Sequence, residues 1–314
     1  MATSGSVDFS TSRNTLLTDA LMDAGVIGEG DTATSDQIAV ASRKLNAIVK
    51  QWMGKADFAP GLKVWSRSRA TVFLQKNQGS YSLGSSGDHA TTSYTRTTLT
   101  ASSAASSTSL TVSSITGISA SDYIGIELDD GTLHWDTVSG SPSGTTVTIT
   151  TGLASAAASG RYVYAYTTKM TRPLEILTAS LRDSDLNDTP LSFMSLEDYE
   201  AIGDKSADGT PSSILYEFGL TNGTIYTDVQ PDDVTSQLRI VVLRPLEDFD
   251  ASTDEPDYPQ GWYRPLQAQL TMDLCVAYSR PVSQELKLMR DESLAMAQSQ
   301  FAETTDIYFQ PGVE

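Results

Sequence analysis

Asp183, Asp185 and Asn187 alternate along the chain as the first ligands of an EF-hand calcium loop do. Such a loop also needs glycine at its sixth position, for a sharp turn, and a glutamate at its twelfth, which binds the ion through both oxygens. Asp188 and Met194 stand at these two positions. The segment therefore predicts a solvated turn between two strands, and we expect no metal site there.

Two further patterns resemble motifs that carry chemistry. Gly140 and Gly144 have the separation of the glycines in a nucleophile elbow, but Pro142 occupies the place of the serine. His89 and His134 have no companion at the spacing that zinc sites use. We therefore expect a turn at residues 140–144 and no metal bound by the histidines.

Acidic pairs could in principle supply the two carboxylates of a glycosidase. Glu197 is followed by Asp198, and Asp232 by Asp233. Carboxylates adjacent in sequence are common on solvated faces, whereas the reaction depends on a separation in space of about 5 to 9 Å. We therefore expect a non-enzymatic protein with no catalytic residue, no metal and no cofactor.

Composition limits the function classes further. The 314 residues carry a formal net charge of −18, which argues against binding nucleic acid by neutralising its phosphates. The single cysteine, Cys275, excludes an intrachain disulfide. We see no secretion signal and no apolar run of membrane-spanning length, so we expect a protein of the reducing cytoplasm with no membrane partner.

Helical patterns occupy both ends of the chain. Apolar residues at helical spacing predict a first helix at residues 11–24, and a second helix begins after Thr34 and Gln37, which form a capping-box pattern. Two more helices are predicted after residue 259, separated by Pro281. Strands are predicted at 64–74, 174–181, 191–194 and 238–243, with an Asn222-Gly223 hairpin between the last two.

Residues 86–168 differ from both flanks because about two-fifths of them are Ser or Thr. Apolar residues alternate there with period two, which favours strands over a disordered stalk. Asp130-Gly131 predicts a tight hairpin turn. The alternating positions include Leu110, Val112, Ile124, Ile126, Leu133, Trp135, Val147, Ile149, Tyr162, Tyr164 and Tyr166.

These elements predict an α+β fold, in which helical N- and C-terminal segments pack with a β core that carries an inserted all-β sandwich or barrel. We assign residues 1–85 and 169–302 to the core, 86–168 to the insert, and 303–314 to a C-terminal tail. Tryptophan side chains serve as core or subunit-interface anchors more often than as ligand platforms. We select Trp52 and Trp262 as candidates for an oligomer interface.

Six segments together resemble the head-to-tail adaptor proteins of short-tailed bacteriophages, which are also called tail accessory factors or connector proteins. The resemblance covers residues 11–84 and 170–303 and rests on structural patterns, not on catalytic signatures. The insert is absent from the shortest members of that family. The segments are AGVI at 24–27, LNAIVKQW at 45–52, QGSYSLG at 78–84, RPLEI at 172–176, SLEDY at 195–199 and PSSILY at 211–216.

The resemblance implies a structural virion protein of the neck or tail, made in the cytoplasm of the host bacterium. It implies a ring, usually of twelve copies, that docks under the portal protein, extends the DNA ejection channel without binding DNA specifically, and carries tail or nozzle proteins. It also implies that the C-terminal tail docks on the portal, with Ile307, Tyr308 and Phe309 as apolar anchors. The insert would project outward, where capsid or tail fibres are possible partners.

Two alternatives stay open from the sequence. The tyrosine-rich and Ser/Thr-rich insert is also typical of a carbohydrate- or receptor-binding protein of the virion surface. A peptidoglycan hydrolase is the third class, although no constellation of residues supports it.

Overall fold

The computed structural model describes residues 9–54 and 61–299, and the chain is mixed α+β, as predicted. No helix in these ranges is long and apolar enough to cross a lipid bilayer. The α-helices are α1 (Arg13–Asp23), α2 (Ser35–Trp52), α3 (Leu196–Glu200), α4 (Tyr263–Ala277) and α5 (Gln284–Ser299), with short 3-10 helices at Leu62–Ser66 and Gln260–Trp262.

The strands are short, and most of them lie in the middle of the chain. They are β1 (Arg67–Phe73), β2 (Ser80–Leu83), β3 (Ala90–Thr91), β4 (Thr95–Thr98), β5 (Ser109–Thr111), β6 (Tyr123–Glu127), β7 (Leu133–Thr137), β8 (Thr146–Thr148), β9 (Tyr162–Tyr166), β10 (Glu175–Arg182), β11 (Asp188–Pro190), β12 (Ser192–Phe193), β13 (Asp208–Gly209), β14 (Ser213–Glu217), β15 (Gly223–Thr227), β16 (Gln230–Pro231) and β17 (Gln237–Leu243).

The chain divides into two compact units. A helical unit combines Met1–Ser66 with Leu246–Glu314, and a β unit spans Arg67–Pro245. This division places the core strands and the insert in one unit, whereas the sequence-based division separates residues 86–168 from the rest.

The helical unit is organised around α4, which packs against α1, α2 and α5. The predicted capping box at the start of α2 is present: the Thr34 hydroxyl accepts from the Gln37 amide, and the Gln37 side chain accepts from the Thr34 amide. Two of the four amides that a helix N-terminus leaves unpaired are thereby satisfied. Apolar faces of α2 and α4 are buried, with Leu45 and Leu274 both fully covered.

Two sheets form the core of the β unit. One has the order β11-β10-β17-β1-β3 and the other the order β12-β14-β15-β2. Apolar side chains of both sheets share one buried cluster. These side chains include Val72, Tyr81, Leu83, Ile214, Ile225, Leu238 and Ile240.

The insert has a core of its own, between a sheet of order β4-β9-β6-β7 and the pair β5-β8. Single bridges at Leu99–Val112 and Val138–Ile149 join the two sheets at their corners. In the part of the chain that is described, no sheet closes into a barrel, so the sandwich is the better of the two predicted arrangements. The hairpin around Asp130-Gly131 is confirmed, since β6 pairs with β7 and Gly131 has a φ of +79°, but the loop has five residues and is not the tight turn that was predicted.

Three predicted details were wrong. Residues 62–66 form a 3-10 helix, so the strand predicted from residue 64 begins only at Arg67. Of the segment at 191–194, Leu191 bonds to β10, through its amide to the Ala179 carbonyl at 2.9 Å, and the following residues leave that sheet. The strand that pairs with β10 is β11, and β12 runs parallel to β14 in the other sheet. The loop between β14 and β15 has five residues, and Gly223 lies in β15 and not in a two-residue turn.

Candidate interaction surfaces

The segment that resembles a calcium loop is the turn between β10 and β11, as the sequence predicted. The first carboxylate of the segment, that of Asp183, is hydrogen-bonded within the turn. Asp183 Oδ1 accepts from the amides of Asp185 and Asn187, each at 2.9 Å, and Oδ2 accepts from the Asn187 side chain at 3.0 Å. These bonds lower the pKa of Asp183. Among the described residues, no three His, Cys, Asp or Glu side chains come together as a metal site would require.

One carboxylate of each acidic pair serves local structure. Asp198 caps α3, because its Oδ2 accepts from the hydroxyl of Ser195 at 2.7 Å and from the Ser195 amide at 3.2 Å. Asp233 closes a turn by accepting from the Thr235 amide at 2.9 Å. Hydrogen bonding therefore explains why these carboxylates occur where they do.

Trp52 and Trp262, which we selected as interface candidates, lie side by side in the helical unit. Their ring centroids are 5.8 Å apart. Trp262 is 1% exposed, whereas Trp52 is partly exposed. A partner could therefore reach the surface of Trp52, and the interface role of the pair stays a prediction. Ile307, Tyr308 and Phe309 lie outside the described residues.

Exposed apolar side chains on the C-terminal helices are a surface feature that the sequence did not predict. Leu288 and Met296 on α5 are 56% and 69% exposed, and Val276 in the last turn of α4 is 72% exposed. The side of α5 that is covered buries only Ser293 and Ala297. Because the apolar residues of α5 lie around most of the helix, a stripe prediction detects the helix but not its uncovered side.

A second exposed apolar feature is the tip of the β14–β15 hairpin, where Phe218 is 68% exposed and Leu220 is 97% exposed. Two side-chain hydrogen bonds connect this loop to other parts of the β unit. Arg172 donates to the carbonyl of Gly219 at 3.1 Å, and the Asn222 side chain donates to the hydroxyl of Ser82 at 3.1 Å. The tip thus presents two large apolar side chains on a fixed backbone.

An acidic loop follows the β unit along the chain. Glu247, Asp248, Asp250, Asp254 and Glu255 line a shallow groove of about 540 Å³. Lys50 forms an ion pair with Asp248 at 2.8 Å, but both side chains are nearly half exposed, so this pair contributes little to stability. The groove is an accumulation of negative charge on the helical unit.

The tyrosines of the insert point away from solvent. In β9, Val163 and Ala165 face the core of the insert, while Tyr164 and Tyr166, each 2% exposed, pack around Phe73 of the core sheet. The alternation predicted for this strand is present, and both of its faces are buried. The two tyrosines do not form an aromatic platform on the surface.

Compared with known proteins, the chain matches no family model, and no curated protein is significantly similar to it.

Proposed function

We propose that this protein is a non-enzymatic head-to-tail adaptor of a short-tailed bacteriophage. It forms a ring under the portal, extends the DNA channel and carries tail components. The observation that carries the proposal is the exposure of two large apolar side chains of α5, Leu288 and Met296, on a helical unit built from both ends of the chain. The proposal also rests on the six sequence segments that resemble this class of protein.

The α5 face supports contact between copies on energetic grounds. Burying a leucine or methionine side chain completely is worth about 1.5–3 kcal/mol. Leu288 and Met296 gain only a part of this within one chain, because each is more than half exposed. In a ring, each subunit has two neighbours, so one apolar face per copy can be covered by a different surface of the next copy.

The charge supports a channel that DNA traverses. Each chain carries a net charge of −18, and a ring multiplies it. An acidic lumen repels phosphates and keeps DNA from adhering to the wall. In this proposal the tail at 303–314 docks each copy on the portal through Ile307, Tyr308 and Phe309, and several tails acting together give a strong avidity.

The decisive experiment mixes the purified chain with the portal ring of the same phage and images the product by electron microscopy. We expect a closed ring that is coaxial with the portal. A chain that stays apart from an intact portal would refute the proposal, and a glycan-binding or cell-wall turbidity assay would then separate the two alternative classes.

Two sets of variants test the two surfaces. Leu288→Asp with Met296→Asp should weaken ring formation at least about tenfold without changing the circular dichroism spectrum. Lys287→Asp is the matched control, because it changes the charge of the exposed side of α5 by the same two units. Normal docking on the portal by a Tyr308→Ala, Phe309→Ala variant would contradict the role of the tail while leaving the ring intact.

A further inference from the structure

The two ends of the insert leave the core sheet next to each other, and both are bonded there. Ala90 and Thr91 form β3, which pairs with β1, and the Met170 amide donates to the Ala90 carbonyl at 2.8 Å. The Thr91 hydroxyl donates to the carbonyl of Thr168 at 2.8 Å. These contacts at the two ends of the insert, which we call the stem, do not by themselves determine the orientation of the insert relative to the core sheet.

His89 extends the contact from the stem into the insert. Its imidazole lies flat on the indole of Trp135, with the ring centroids 3.9 Å apart and the planes 3° from parallel. Its Nδ1 shares a hydrogen bond of 2.6 Å with the Tyr166 hydroxyl. Trp135 in turn lies on the backbone of Gly125, where an added Cβ would be 2.7 Å from the indole. His89 lies within the sequence-based borders of the insert, but its carbonyl accepts from the Phe73 amide of the core sheet at 3.0 Å. A residue bonded to the core sheet is therefore also held by two later strands of the insert, β7 and β9.

Phe73, the last residue of β1, is the centre of an aromatic cluster shared by the core sheet and the insert. It is 2% exposed, and the cluster also contains Val234 from the core side. The insert supplies four rings whose centroids lie 5.0–6.0 Å from that of Phe73, namely those of Tyr94, Trp135, Tyr164 and Tyr166.

The Gln75 side chain bonds to the edge strand β7 of the insert in the way that a neighbouring strand would. Its side-chain nitrogen donates to the Leu133 carbonyl at 2.8 Å, and its side-chain oxygen accepts from the Leu133 amide at 3.1 Å. The Tyr94 hydroxyl adds a bond of 2.7 Å to Gln237 of β17. These polar contacts fix direction and register, which apolar packing alone does not.

We propose that the contacts of Phe73, Gln75 and His89 couple the insert to the core sheet as one cooperative folding unit, so that the insert is a fixed arm and not a flexibly tethered module. Compactness alone also places both in the same unit. A fixed arm presents its surface at a constant angle, and a partner that binds it does not have to pay the entropy of ordering a tether. This inference does not depend on the adaptor function.

Native-state hydrogen exchange of the full chain tests the coupling. In the wild-type protein, we expect the slowest amides of β6 in the insert and of β10 in the core sheet to have protection factors within about threefold of each other. In a Gln75→Ala, His89→Ala variant, we expect the protection of β6 to fall at least about tenfold relative to that of β10.

The matched control is Gln78→Ala with His134→Ala, which removes the same side-chain types from positions outside these contacts. It should keep the two strands within the wild-type ratio. Either of two results would overturn the proposal: a wild-type insert that already opens independently of β10, or a Gln75→Ala, His89→Ala variant whose ratio stays at the wild-type value. The comparison of β6 with β10 in the wild-type protein tests the proposal even if that variant does not fold.

Discussion

His89 makes the stability of the β unit depend on pH below neutrality, and at about pH 5 its contribution begins before most carboxylates are protonated. Burial, and then the positive charge of Lys169, lower its pKa from 6.5 to about 3. The groups that face it are the Trp135 indole, the hydroxyl of Tyr166 and the ring of Tyr123. The imidazole is therefore neutral in the folded chain at any pH near neutrality.

The sign follows from comparing the folded and unfolded chains. Between pH 6.5 and about 3, the unfolded chain binds a proton at His89 that the folded chain does not, so the free energy of unfolding decreases as the pH falls. The stabilisation is complete above pH 6.5. At about pH 5, 1.5 units below the unfolded pKa, the full effect would be about 2 kcal/mol. Because the imidazole is partly exposed, we expect a loss of about 1–1.5 kcal/mol.

The assay is urea unfolding at about pH 7.5 and about pH 5, followed by fluorine NMR of the chain labelled with fluorotryptophan. Trp135 is the one tryptophan between Arg67 and Pro245, so its resonance reports the β unit alone. His89→Phe keeps a ring on Trp135 and removes the titration. Equal losses of stability in the wild-type protein and in His89→Phe would refute the reasoning, and His134→Gln is the control for the other histidine.

Three substitutions test the packing and capping described above, each by thermal or urea unfolding. Trp262→Ala should cost the helical unit about 3–5 kcal/mol, because a fully buried indole leaves a cavity, and a loss below about 1 kcal/mol would contradict its core position. Thr34→Ala should lower the free energy of unfolding by about 1 kcal/mol, because the Gln37 amide loses its hydrogen bond to the Thr34 hydroxyl. Thr34→Ser should keep most of this stability, because serine has the same hydroxyl. Arg161→Met should cost about 2 kcal/mol, since the carboxylate of Glu127, 6% exposed, then loses a partner at 2.8 Å; an unchanged midpoint would show that the ion pair contributes nothing.

Local signals in the sequence were sufficient where the structure is decided locally. The capping box of Thr34 and the hairpin around Asp130-Gly131 each depend on a few neighbouring residues, and both were predicted correctly. The Asn222-Gly223 turn was wrong, and in the observed loop the Asn222 side chain bonds to Ser82, a residue distant in sequence. Turn propensity contains no information about such a contact.

The alternating pattern in the sequence does not determine how the insert packs against the core sheet. A period of two separates the two faces of β9 but does not say which face is inside, and here both are buried. The composition marks the borders of the insert at residues 86 and 168, because the Ser and Thr content changes there. The packing of the insert and the core sheet into one compact unit depends on Phe73 and its ring neighbours. Substitution of exposed threonines such as Thr146 and Thr148 should therefore disturb the packing of the insert much less than substitution of Tyr164 or Tyr166, which are buried between the insert and Phe73.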